Sequence, residues 1–183
     1  MIGFLARPGS SHARIPDWRR YVERATVREV LMGAQDNLTN VLAVVLGVTI
    51  GTGRADFVAL AGLSAGIAEA ISMGGVLYNS TRAELRFTRD DAEARPAPVM
   101  SGLITFAAAL VAGLIPLIPF ILLPVGLAVI VSLGASIFGL FVLGSLTGRI
   151  SGDAWIAEGV RLVIVAGLAA AAAALIGVFL QVA

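Results

Sequence analysis

An all-α integral membrane protein of five transmembrane helices is the fold this sequence predicts, on three observations. The 183-residue chain is 58% hydrophobic, with a mean hydropathy of +0.93 and 14% charged residues, against about a quarter in soluble domains. Five apolar runs, at 31–52, 56–78, 99–122, 125–147 and 160–181, each have about the 20 residues that cross a hydrocarbon core about 30 Å thick. The basic residues are all Arg, 13 of them, and under a five-span threading 12 share one face while Arg54 alone lies on the other. Because cytoplasmic loops collect positive charge, the N-terminus is expected in the cytoplasm and the C-terminus across the membrane.

The elements follow in order. Residues 1–30 read as a cytoplasmic tail: 1–15 carry Gly, Pro, Ser and Arg with little apolar content and are expected to be disordered. Pro16 and Asp17 then open an amphipathic helix whose Trp18 and Tyr21 suit the headgroup layer, a surface anchor running into the first span. It reads as a retained tail, because the following apolar run is too long for a signal peptide and no small-residue cleavage site closes it. The five-helix domain occupies 31–182 and leaves no room for a separate soluble domain. Between the second and third spans, the charged connection 79–98 interleaves Arg82, Arg86, Arg89 and Arg95 with Glu84, Asp90, Asp91 and Glu93, a spacing that extends the second helix until Pro96 and Pro98 stop it. Pro116 and Pro119 predict a kinked or early-ending third helix, and Pro124 a tight hairpin to the fourth. The Ala-rich stretch 166–174 gives the fifth span a close-packing surface.

Absences narrow the chemistry. With no Cys, the chain has no disulfide framework, haem-attachment motif or thiolate metal site, and its one His, His12, is in the tail. A metal in the membrane region must therefore be held by oxygen and thioether. An intramembrane enzyme has no paired nucleophile and base to work with, and neither a tightly bound cofactor nor a nucleic-acid partner is expected.

Two acids remain inside apolar spans, and an intramembrane carboxylate is a functional-site hypothesis by default. At about 100° per residue, Asp36, Asn40, Ala43, Gly47 and Gly51 share one face of the first span, and Gly62, Gly66, Glu69, Ala70 and Met73 form a strip on the second, with Gly74 at its edge. The small-xxx-small ladder Gly62, Gly66, Ala70, Gly74 lets another backbone approach, so the carboxylate and thioether are expected to point into a helix interface, away from lipid. Counting from the cytoplasmic ends puts Asp36 and Met73 at one depth, roughly 7–8 Å in, with Glu69 one turn deeper. Carboxylate oxygens suit hard cations and a thioether softer ones, so the mixture points to Fe(II) or Mn(II) over Mg(II) or Ca(II). The structural alternative has Asp36 bonded to Asn40 or a nearby Arg, Glu69 protonated as a hydrogen-bond donor, and Met73 filling a gap.

The segments GAQDNLTNVLAVVLGVT and GLSAGIAEAISMGGVLYNSTRAE resemble the first two membrane helices of the vacuolar iron transporter family. FAAALVAGLIPLIPF, LFVLGSLTGRISG and GVRLVIVAGLAAAAAALIG extend the resemblance in order over about residues 25–182. It implies that Asp36 and Met73 line a metal path, that the protein works as a symmetric dimer with the path between the two first helices, and that proton exchange is coupled to metal movement. The chain departs from the family pattern in having Asn37 after the acid where a Gly is common and Leu77 before Tyr78 where an acid is common. Glu69 matches the family's acid upstream of the methionine only loosely, with Ala65 the direct counterpart, and the large Glu-rich cytoplasmic metal-binding domain of the eukaryotic importers is absent.

The expected function is therefore transport of Fe(II) or Mn(II) out of the cytoplasm by proton antiport, with Asp36, Met73, Glu69 and Asn40 as the metal-contacting set and the metal as substrate. The expected setting is a bacterial inner membrane, or a vacuolar-type membrane in a eukaryote. The alternative is a noncatalytic membrane subunit or degenerate transporter relative in which the acids only organise packing.

Overall fold

The computed structural model describes residues 18–87 and 97–181, with side chains described for Val27–Arg86 and from Ala97 onward. The expectations for residues 1–15, for His12, for the side chains of Trp18 and Tyr21, and for Arg89 to Arg95 lie outside these residues. The described residues form five helices: α1 Trp18–Thr52, α2 Ala55–Phe87, α3 Pro98–Leu122, α4 Val125–Ser151 and α5 Trp155–Phe179. Each contains a window long and apolar enough to cross a membrane. The architecture is all-helical and multi-pass, since only a helix or a closed barrel satisfies its own backbone in lipid.

Several boundaries differ from the expected spans. α1 runs unbroken from Trp18, so the helix assigned to the tail and the first span are one rod. α2 continues to Phe87, as the alternating Arg and acid require, and α3 begins at Pro98, whose missing N–H costs nothing in a first helical turn. The third helix does not end early: it stays helical through Pro116 and Pro119 to Leu122. Ser132 of α4 donates 2.8 Å to the Pro116 carbonyl, tying the two helices together at the proline turn. The hairpin after it is as tight as expected, only Leu123 and Pro124 separating α3 from α4.

Packing contacts fix the directions. Gly74 of α2 meets Gly102 of α3, and Gly62 meets Leu117, so rising numbers on one helix meet falling numbers on the other and the pair is antiparallel. Gly33 meets Thr105 and Gly113 meets Asn37 and Val41, which makes α1 and α3 parallel; Gly47 with Ala173 and Gly51 with Gly177 make α1 and α5 parallel. The bundle runs up and down, and its two ends lie on opposite membrane faces. Arg28, Arg82, Arg86 and Arg149 lie at the end where α1 begins, and Arg54 is in the turn at the other. Single cysteines in place of Asp153, in the α4–α5 turn, and Gln181, beyond α5, should react with impermeant reagent from opposite sides; labelling from one side would exclude this threading.

α1 is the central helix, touching all four others. Its Leu38 and Leu42 pack with Ala112, Leu140 and Ala166 in one apolar cluster, and Val41 and Val45 with Val58, Leu117 and Phe120 in another. Burial on several sides of one helix leaves a narrow strip uncovered, and the candidate site lies on it.

Candidate metal-ion site

The sequence Gln35-Asp36-Asn37 places three polar side chains about 100° apart around the central helix, and each meets a different environment. Gln35 turns to α4, where its amide donates to Thr147 Oγ1 at 2.7 Å. Asn37 turns between α2 and α3, fully buried, and its amide nitrogen donates to Gly66 O at 3.0 Å and Ala109 O at 2.8 Å. Gly113 makes room for it: a Cβ there would lie 2.7 Å from the Asn37 amide nitrogen. Asp36 turns outward and is exposed in the single chain, as is Asn40 one turn along.

The Asn37–Gly66 bond sets the level of α2 against α1 and brings Glu69 to Asp36. The Glu69 side chain lies against both the Asp36 carboxyl and the Asn40 amide. Three of the four expected metal-contacting residues thus form one cluster. Met73, the fourth, is half-buried one turn beyond Glu69 on the same face of α2. The depth count is corrected by this register, because the acid expected one turn deeper is the direct neighbour of Asp36. Two carboxyls side by side repel when both are ionised, unless a proton or a cation sits between them.

The small-residue ladder lets other helices approach, as expected, but it does not carry the acids into the interface with it. Gly62, Gly66, Ala70 and Gly74 are all buried inside the protomer, where a Cβ at Gly62 would meet Leu117 and Val45, one at Gly66 would meet Val41, and one at Gly74 would lie 2.9 Å from the Gly102 carbonyl. The ladder serves α1 and α3 of its own chain, and the polar strip lies beside it. Gly47 and Gly51, expected to extend the Asp36 face, pack against α5. Asp36 and Asn40 do not point away from lipid within one chain.

Among the described residues no group of three or more His, Cys, Asp or Glu side chains comes together. One chain therefore offers a cation two carboxyls, the Asn40 amide and the nearby Met73 thioether. Sequence reasoning missed Asn37 as a structural keystone and the burial of Glu29, three turns into α1. An Asn deep in an apolar span, with a glycine on the third helix to admit it, was the available signal for the first; Glu29 lay just outside the span assigned by hydropathy.

A five-helix membrane protein with an intramembrane carboxyl pair on its central helices belongs to the class of membrane ion transporters. The family model of the VIT family matches residues 27–96 and 85–178, most of the chain. The chain belongs to the VIT family, the vacuolar iron transporter family that its first two helices resemble. It is also similar to an uncharacterized protein of Methanocaldococcus jannaschii, 28% identical over 154 residues that span 74% of this chain and 80% of the relative.

Proposed function

We propose that the protein moves Fe(II) or Mn(II) out of the cytoplasm in exchange for protons, as a symmetric dimer. The observation that carries the reading is the Asp36–Glu69–Asn40 cluster on an uncovered strip of membrane-crossing helix. An isolated charge at the centre of a membrane helix costs about 2.5–3.5 kcal/mol on insertion scales, so a carboxyl pair with Asp36 exposed and Glu69 half-buried calls for a cover that also uses it. A second copy related by a twofold axis supplies that cover and brings two Asp36, two Glu69, two Asn40 and two Met73 to one axis. Such a set has enough oxygens for a divalent cation, and its thioethers favour Fe(II) and Mn(II) over Mg(II). Metal arriving between the carboxyls displaces their protons, and protons returning release the metal. N-terminus inside, the carboxyl level is reached from the cytoplasm first.

Purified protein in liposomes should carry Fe(II) and Mn(II) faster than Zn(II) or Co(II), and acidifying the compartment that receives the metal should accelerate its arrival. Flux indistinguishable from empty liposomes for all four ions would favour the packing-only reading. Met73→Ala should lower flux about tenfold through loss of a soft ligand, with dimer assembly intact by size-exclusion profile. Glu69→Gln keeps shape but cannot ionise, and should weaken the dependence of flux on the pH gradient while leaving assembly unchanged. An unaltered pH dependence would return Glu69 to a packing role.

A further inference from the structure

A second polar column lies inside the protomer, where α1 packs against α3. Glu29 is 7% exposed and Asn37, Ser101 and Thr105 are 0% exposed, yet Glu29 Oε2, Asn37 Oδ1, Ser101 Oγ and Thr105 Oγ1 have no hydrogen-bond partner. Buried polar atoms are rarely left so, and four on one helix interface call for an occupant. The Thr105 hydroxyl is unusual here. Thr39, Thr49, Thr52 and Thr147 each bond back to the carbonyl four residues earlier, as mid-helix threonines do. Thr105 does not.

The four atoms are stacked in levels. Ser101 stands beside the Glu29 carboxyl but closes no hydrogen bond with it. Thr105 is level with Gly33, and Asn37 is bonded to Ala109, so α1 and α3 run parallel with matching four-residue steps. Four residues rise about 6 Å, close to two hydrogen bonds of about 2.8 Å laid end to end. One water between successive levels would complete the hydrogen bonds of both. Both Asn37 N–H groups are engaged by Gly66 and Ala109, so its free oxygen accepts and closes the inner end. Ser136 and Ser145, also unpartnered, are on α4 and outside this column.

We propose that Glu29, Ser101, Thr105 and Asn37 line a file of bound water inside each protomer, through which protons pass from the middle of the membrane to the end of the bundle where Glu29 lies. Glu29 exchanges protons with the outer solution in the field of Arg28 and Glu84, the charged groups that act on it. Each hydroxyl or water accepts one proton and releases another, so one proton entering the file at the Asn37 level is balanced by one released at Glu29. The file goes beyond the transport reading and rests on it only for the use of the proton.

A density map of the protein at a resolution that shows water should contain at least two ordered waters, between Ser101 and Thr105 and between Thr105 and Asn37. In Thr105→Val, which keeps the shape and removes the hydroxyl, both should be lost. In liposomes Thr105→Val and Glu29→Gln should each slow metal-coupled proton counterflow about tenfold, with metal binding to the solubilised protein unchanged, while Thr105→Ser should restore the wild-type rate. A dry interface with the hydroxyls turned onto backbone carbonyls, or wild-type counterflow in Thr105→Val, would overturn the proposal. Wild-type liposomes that move no metal would instead sink the transport reading, and the map would still decide the file.

Discussion

Asp36→Asn is expected to reduce metal flux about 100-fold or more, the largest effect of any single isosteric change in this chain. The substitution keeps the size of the side chain and leaves the Asn37 and Gln35 bonds on either side untouched, so α1 remains anchored to α2, α3 and α4. What it removes is one of the two carboxyls that meet at the Asp36–Glu69 contact. Losing one member of a desolvated charge cluster costs about 2–5 kcal/mol, and each 1.4 kcal/mol is a factor of ten. In a dimer the loss occurs twice at one axis. The remaining Glu69 no longer has a carboxyl to repel, so whatever flux survives should also respond less to the pH gradient. Wild-type flux through assembled Asp36→Asn dimers would remove Asp36 from the metal path.

The second large effect is structural and falls where the central helix meets α5. A Cβ added to Gly177 would meet the carbonyl oxygen of Gly47 and lie 3.1 Å from the Gly51 nitrogen, both backbone atoms that no side-chain rotation can move aside. Gly177→Ala should therefore force the helices apart, at about 1–3 kcal/mol for overpacking, outweighing the gain of up to about 1 kcal/mol that Ala brings to a helix interior. Thermal unfolding in detergent should shift down by several degrees. Gly167→Ala on the same helix is the control, because nothing lies within 4 Å of a Cβ there. It should leave the midpoint unchanged or raise it. Equal behaviour of the two variants would mean that the α1–α5 contact does not limit stability.

Hydropathy and charge carried most of the fold. Each of the five helices needed only its own length and apolar content to be recognised, because lipid leaves a chain no other way to satisfy its backbone. The alternation of Arg and acid after Tyr78 likewise announced that α2 outlasts its apolar run, since those side chains stabilise one another along a helix face. Pro116 and Pro119 allowed an early end that α3 does not have, because its neighbours hold the helix through them, including the Ser132 bond to Pro116.

The sequence alone also determined which residues in the membrane had any ionic chemistry to offer, because Asp36 and Glu69 are costly there and Asn40 and Met73 recur at helical spacing from them. Only the tertiary structure decided who faces whom. Helical periodicity places residues around one axis; it says nothing of how far a neighbouring helix has slid along it. The Asn37 amide fixed that slide by bonding Gly66 and Ala109 together, and so put Glu69 against Asp36 and sent the glycine ladder inward. It also decided that α1 is the central helix, which is why three consecutive polar residues could serve a brace to α4, an outward carboxyl and a buried keystone at once. Those assignments depend on contacts between residues 29 to 112 positions apart, and no local pattern in a chain encodes an axial offset between two rods that both look apolar.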